Sequence, residues 1–115
     1  MKKTRVIFSP EAEEVYKHLN EVAPNSKVDR SILNSINKKV ELIKVNIHYG
    51  EPIAKKLIPE EYKIRYEATN LFRVELPNFW RMLYTLTDGE SQIEIVAFVL
   101  DVLDHKDYDK KFGYK

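Results

Sequence analysis

Five side chains in the last third of the chain are of types that do chemistry together. Arg73 and Glu75 alternate with apolar residues in Leu71-Phe72-Arg73-Val74-Glu75-Leu76. Arg81 follows Phe79-Trp80, and the apolar run Ile93 to Leu103 leads into Asp104-His105-Lys106-Asp107-Tyr108. A carboxylate, two guanidiniums, an imidazole and a phenol supply a base, an acid and a phosphate clamp in one neighbourhood. Metal-free cleavage of an RNA phosphodiester needs that set: one group takes the ribose 2′-OH proton, a cation steadies the phosphate, and an acid protonates the leaving oxygen.

Each residue also has a plainer reading. An Arg and a Glu on one strand face form a solvated cross-strand pair, worth less than about 1 kcal/mol. Arg81 stands just inside an otherwise apolar strand, where a charge needs a reason. His105 either caps the strand end or acts as the acid, with Asp104 placed to hold one ring nitrogen. Tyr108 either packs on the last turn or meets substrate. Lys55, Lys56, Lys63 and Arg65 form a solvated basic surface or a contact to ribosomal RNA. Of Phe79 and Trp80, one belongs to the core and the other is free to stack a base. His18 and His48 lack ligand-like spacing, and no metal site is legible.

The elements that position these groups follow from period and punctuation. Arg5-Val6-Ile7-Phe8 reads as a short strand. Ser9 caps a helix with Pro10 at its first position and Glu11, Glu13 and Glu14 at its positive end. Ile32, Ile36, Val40, Ile43 and Ile47 make one stripe of a second helix, which Gly50 and Pro52 end. The two helices form a hairpin whose apolar faces must cover a sheet. Residues 51–70 read as an irregular connection with a possible short strand at Tyr62–Tyr66. The period then becomes two, with Phe72, Val74 and Leu76 on one face and Arg73 and Glu75 on the other. Asp88-Gly89 joins strands at Trp80–Thr87 and Ser91–Leu103. The last strand is apolar on both faces and is expected at the centre of the sheet.

Size and composition set the frame. The 115 residues amount to one domain with a core of its own. A hydrophobic fraction of 43% and a charged fraction of 32% are those of a soluble globular protein. With no cysteine, disulfides and thiolate metal sites are excluded, in keeping with a cytoplasmic home. No segment reads as a secretion signal or a membrane span. A net charge of +1 is small for a nucleic-acid binder, so any RNA contact depends on how charge is distributed.

The element order, together with Leu71–Leu76, Trp80-Arg81-Met82-Leu83-Tyr84, Phe98–Leu103 and His105-x-x-Tyr108, resembles the RelE/ParE toxin superfamily. The resemblance spans most of the chain, through short motifs. It implies an α+β fold in residues 1–115, with an N-terminal strand and a helical hairpin packed on an antiparallel sheet and a short C-terminal element. It also implies the toxin half of a type II toxin–antitoxin system, cleaving mRNA on the ribosome without cofactor or metal and leaving 2′,3′-cyclic phosphate and 5′-OH ends. Residue by residue, it gives Glu75, Arg81, His105 and Tyr108 catalytic roles. Arg73, Lys63, Arg65 and Lys106 become substrate contacts. The partners implied are an antitoxin, the ribosome and mRNA, with no membrane. Antitoxin contacts are expected at Phe72–Leu76 and at Phe112-Gly113-Tyr114-Lys115. Two alternatives follow from the same resemblance: a ParE-like toxin that poisons gyrase, and a non-catalytic binding protein that keeps the fold.

Overall fold

Ser9 sets the geometry of the N-terminal half. In the computed structural model, which describes residues 3–88 and 94–113, strand β1 (Lys3–Phe8) ends at this fully buried hydroxyl. The Ser9 oxygen accepts from the Ala12 N–H at 3.0 Å, capping helix α1 (Pro10–Val22), and donates to the Leu100 carbonyl at 2.7 Å. One side chain thus starts the helix and ties it to strand β5 (Glu94–Leu103). Pro10 sits in the first turn, as its lack of an N–H allows. Ser26 repeats the capping for α2 (Lys27–Val45), accepting from the Asp29 N–H at 3.2 Å.

The expected stripe on α2 faces inward. Ile32, Ile36 and Ile43 are fully buried and Val40 packs beside them. Burying each isoleucine contributes roughly 1.5–3 kcal/mol. The helix ends earlier than Gly50 and Pro52 suggest, at Val45 with Asn46 as its cap, so Ile47 lies beyond it. Gly50 has another role. A Cβ there would lie 2.9 Å from the Tyr84 ring, and its N–H donates to the Tyr84 hydroxyl at 2.9 Å. That hydroxyl donates in turn to the Ile47 carbonyl at 2.8 Å, fixing the chain where β2 (Glu51–Pro52) begins.

After β2 the connection contains α3 (Glu60–Tyr66), a helix where a short strand at Tyr62–Tyr66 is expected from the sequence. Strands β3 (Phe72–Glu75) and β4 (Arg81–Asp88) follow, then β5 and helix α4 (His105–Phe112). The sheet order is β1-β5-β4-β3-β2. Its three later contacts are antiparallel, but β1 runs parallel to β5, Val6 opposite Ala97. The sheet is therefore mixed, which corrects the wholly antiparallel expectation; the α+β class stands. The turn residue Gly89, the strand start at Ser91 and the tail Tyr114-Lys115 lie outside the described residues. Among the described residues, no helix is long and apolar enough to cross a membrane.

Strand β5 lies inside the sheet and is covered on both faces, as its apolar run requires. Ala97, Val99 and Val102 join the core under the α1–α2 hairpin, while Phe98, Leu100 and Leu103 join a second core with α3 and α4. The register shift opposite Leu83/Tyr84, where Asp101 and Val99 are the successive partners, lets Leu100 and Asp101 both face α3. On β3 the burial alternates as expected. Phe72, Val74 and Leu76 lie under the hairpin, so these residues are core and do not form an exposed partner surface. Arg73 and Glu75 face the other way, toward α4.

Candidate active site

The strand register creates the central pair. Glu75 on β3 is the cross-strand partner of Arg81 on β4, and Arg73 stands two residues away on the same face. The Glu75 carboxylate lies between the two cations, 3.4 Å from Arg73 Nε and 3.7 Å from Arg81 Nε. Both Nε atoms are buried without a hydrogen-bond partner, because these separations are ion-pair contacts without hydrogen-bond geometry. The side chains of Arg73 and Arg81 are only 27% and 16% exposed.

Helix α4 places Tyr108 over this pair. Tyr108 is buried, accepts from Arg73 Nη1 at 3.1 Å, and puts its ring 4.8 Å from the Arg81 guanidinium carbon. That cation–π contact is worth about 0.5–2 kcal/mol. Phe112 stacks on the Tyr108 ring, with ring centroids 4.5 Å apart. The helix starts where it does because Asp104 caps it, accepting from the Asp107 N–H at 2.8 Å. Asp104 is thus a helix cap and not the partner of the imidazole. His105 Nε2 instead lies 3.2 Å from Asp109, one turn along the exposed side of the helix.

A strained turn completes the rim. Asn78 and Phe79 both have left-handed φ values, 60° and 62°, which an aromatic residue rarely adopts. This conformation leaves Phe79 72% exposed, with its ring 6.1 Å from that of His105. It also turns the Phe79 carbonyl toward Arg81, whose Nη1 donates to it. Trp80 is the residue of the two that packs against the core.

Arg73 has a further partner that the sequence did not signal. Glu51 of β2, its cross-strand neighbour, accepts from Nη2 at 2.7 Å. The hydrogen bonds to Tyr108 and then to Glu51 hold the Arg73 guanidinium cationic well above its ordinary range. Beside this pair is a cavity of about 160 Å³ whose lining includes Glu51, Ile53, Leu57, Arg73, Tyr108 and Phe112. No local pattern marks Glu51, since a contact 22 residues apart along the chain depends on β2 joining the sheet edge.

The structure therefore brings together four of the expected residues, Arg73, Glu75, Arg81 and Tyr108, with His105 on the rim. Lys106 is exposed on α4 beside His105. Lys63 and Arg65 lie on α3 among its acids: Lys63 is 3.9 Å from Glu60, and Arg65 pairs with Glu11 of α1 and, at 3.7 Å, with Glu61. Arg65 is placed to hold α3 against α1, Lys63 pairs within α3, and the expected substrate role of both gains nothing from the cluster. A larger cavity, about 490 Å³, lies between α3 and α4 and is lined by Glu60, Glu61, Asp107, Lys110 and Lys111. Its charges compensate one another, with Lys111 Nζ 2.6 Å from Glu61. Among the described residues, no group of three His, Asp or Glu side chains is arranged to hold a metal ion.

Fold and site together define an α+β protein with a tyrosine-backed cluster of paired arginines and glutamates on the sheet face opposite its helical hairpin. No family model matches the chain, and no curated protein or solved structure is detectably similar to it.

Proposed function

We propose that this chain is the toxin half of a type II toxin–antitoxin pair, a RelE-like endoribonuclease that cuts mRNA in the cytoplasm on the ribosome. The observation that carries this reading is the single cluster formed by Arg73, Glu75, Arg81 and Tyr108. Its support in the fold is the order strand, helical hairpin, antiparallel strands and C-terminal helix, with that helix laying its tyrosine on the two arginines.

In this reading Glu75 takes the 2′-OH proton, since it is the exposed carboxylate held between two guanidiniums. Arg81 and Arg73 neutralise the charge that develops on the phosphate as the 2′-oxygen attacks. The P–O5′ bond breaks, and His105 delivers a proton to the departing oxygen, leaving a 2′,3′-cyclic phosphate and a 5′-OH. Tyr108 positions the nucleotide, and the exposed Phe79 ring on the rim offers a base a stacking surface. An antitoxin would silence the site by covering it.

A second reading has one observation in its favour: each candidate already has a partner within the chain. Arg73 is held by Glu51 and Tyr108, Glu75 by two arginines, and His105 by Asp109. The same contacts would serve only to pin α4 in a non-catalytic or gyrase-directed protein.

Induced expression with mapping of mRNA 5′ ends separates the two. The endonuclease reading expects growth arrest with new, translation-dependent 5′-OH ends. It also expects cleavage to fall about 10²–10³-fold in Arg81→Ala, as for loss of one charge-stabilising group. Arrest with intact mRNA, and inhibition of supercoiling by the purified chain, would replace it with the gyrase reading. Unchanged cleavage in both Arg81→Ala and His105→Ala would remove the assigned roles.

A further inference from the structure

The formal charges of the arginine cluster already cancel. Arg73 and Arg81 contribute two positive charges, and Glu75 and Glu51 two negative ones, all within ion-pair distance. A phosphate entering this site must therefore either add an uncompensated negative charge or displace a carboxylate. The two carboxylates are not held alike. Glu75, 60% exposed, shares its charge between both Nε atoms, 3.4 and 3.7 Å away, and so answers to two arginines at once. Glu51 reaches the outward Nη2 of one arginine, is 67% exposed, and lines the 160 Å³ cavity beside it.

Its backbone, by contrast, is fixed. Gly50 is pressed on the Tyr84 ring and bonded to the Tyr84 hydroxyl. Pro52 restricts Glu51 to an extended conformation opposite Arg73. A rigid strand thus presents a carboxylate on a flexible stem to the edge of a guanidinium that suits a phosphate equally well. The Glu51 Oε2 occupies a place on Nη2 that a phosphate oxygen would take.

We propose that Glu51 is an internal occupant of the phosphate seat on Arg73: it holds the guanidinium in the free chain and swings out when a phosphodiester arrives. This rests on the reading of Arg73 as a phosphate contact. Glu51 is then a positioning residue and a threshold. It keeps Arg73 aimed before substrate binds, and it screens out anions too weakly held to displace it. A polymer that also contacts other groups passes that threshold more readily than a lone anion.

The test is titration of the full chain with inorganic phosphate, followed by the arginine Nε–Hε resonances. Glu51→Gln is expected to bind phosphate about two- to five-fold more tightly than the wild type, the range set by a partly exposed ion pair. Glu41→Gln, which removes an equal charge from α2, is expected to leave the affinity unchanged. Arg73→Gln combined with Glu51→Gln is expected to abolish the gain. Equal or weaker binding by Glu51→Gln overturns the proposal, as does an equal gain in Glu41→Gln; both single variants alter exposed side chains, so the comparison stands even if the Arg73 variant does not fold. Mapping of mRNA 5′ ends reads the parent reading separately. Cleavage without the gain in affinity sinks the role of Glu51 alone, and the gain without cleavage keeps the occupied seat while removing the endonuclease.

Discussion

The two faces of the sheet are built on different principles. Under the hairpin, Ile32, Ile36 and Ile43 of α2 meet Val74, Met82 and Val99 of the strands in a closed apolar layer. The opposite face has a smaller apolar core, Leu71, Leu83 and Leu100 with Tyr62 and Tyr108, crossed by polar contacts. Tyr62 donates to Asp101 at 2.6 Å, Arg73 to Tyr108 at 3.1 Å, and Lys111 reaches Glu61. The helices differ accordingly: α1 and α2 have 13 and 19 residues, α3 and α4 only 7 and 8. Helices as short as α3 and α4 do not persist on their own propensity, so tertiary contacts must hold them. The hairpin face supplies stability, and the α4 face holds a geometry.

That contrast is broken or sharpened by unequal responses to substitution. The largest effect is expected from Ile36→Ala, which opens a cavity in the closed layer at a cost of about 2–5 kcal/mol. Denaturant unfolding reads it as a lower midpoint. A smaller loss, about 1–3 kcal/mol, is expected for Tyr62→Phe, which leaves the Asp101 carboxylate without its hydroxyl donor. Burial pushes the Tyr62 hydroxyl pKa up, followed in weight by the nearby Asp101 charge, so the phenol stays protonated and remains a donor. If Tyr62→Phe costs as much as Ile36→Ala, the division of labour between the faces is wrong.

What was legible in the sequence divides along the same line. The Ser9 and Ser26 caps, the isoleucine stripe of α2 and the two-sided apolar run of β5 are local patterns, and each reports one element's own surroundings. Helix α3 was hidden because Tyr62, Ile64 and Tyr66 alternate like a strand. In the structure Tyr62 is buried but Ile64 is exposed, so the alternation has no common buried face. The better signal was charge, with Glu60 and Glu61 in the first turn and Lys63 and Arg65 in the last. At the site, the spacing of Arg73, Glu75 and Arg81 across a turn sufficed to bring them together. The parallel pairing of β1 with β5 and the contact of Glu51 with Arg73 depend on residues far apart in the chain, and nothing near either residue announces them.

The smallest expected effect concerns pH and asks whether the polar face is held by charge or in spite of it. Burial raises the Asp101 carboxyl above its ordinary 3.8, with the Tyr62 hydrogen bond and the Lys111 charge pulling the other way. A carboxyl raised on folding holds its proton in the native state after the unfolded chain has released it. Stability therefore falls as pH rises from the unfolded value through the native one, and the cost is constant above. Asp101→Asn removes this titration and keeps an oxygen to accept from Tyr62. As pH rises from the acid range to neutrality, the wild type is expected to lose stability relative to this variant in paired unfolding curves. A wild type that gains over the variant as pH rises would mean that Tyr62 and Lys111 outweigh burial. The α4 face would then draw net stability from its charges, as the hairpin face does from its isoleucines.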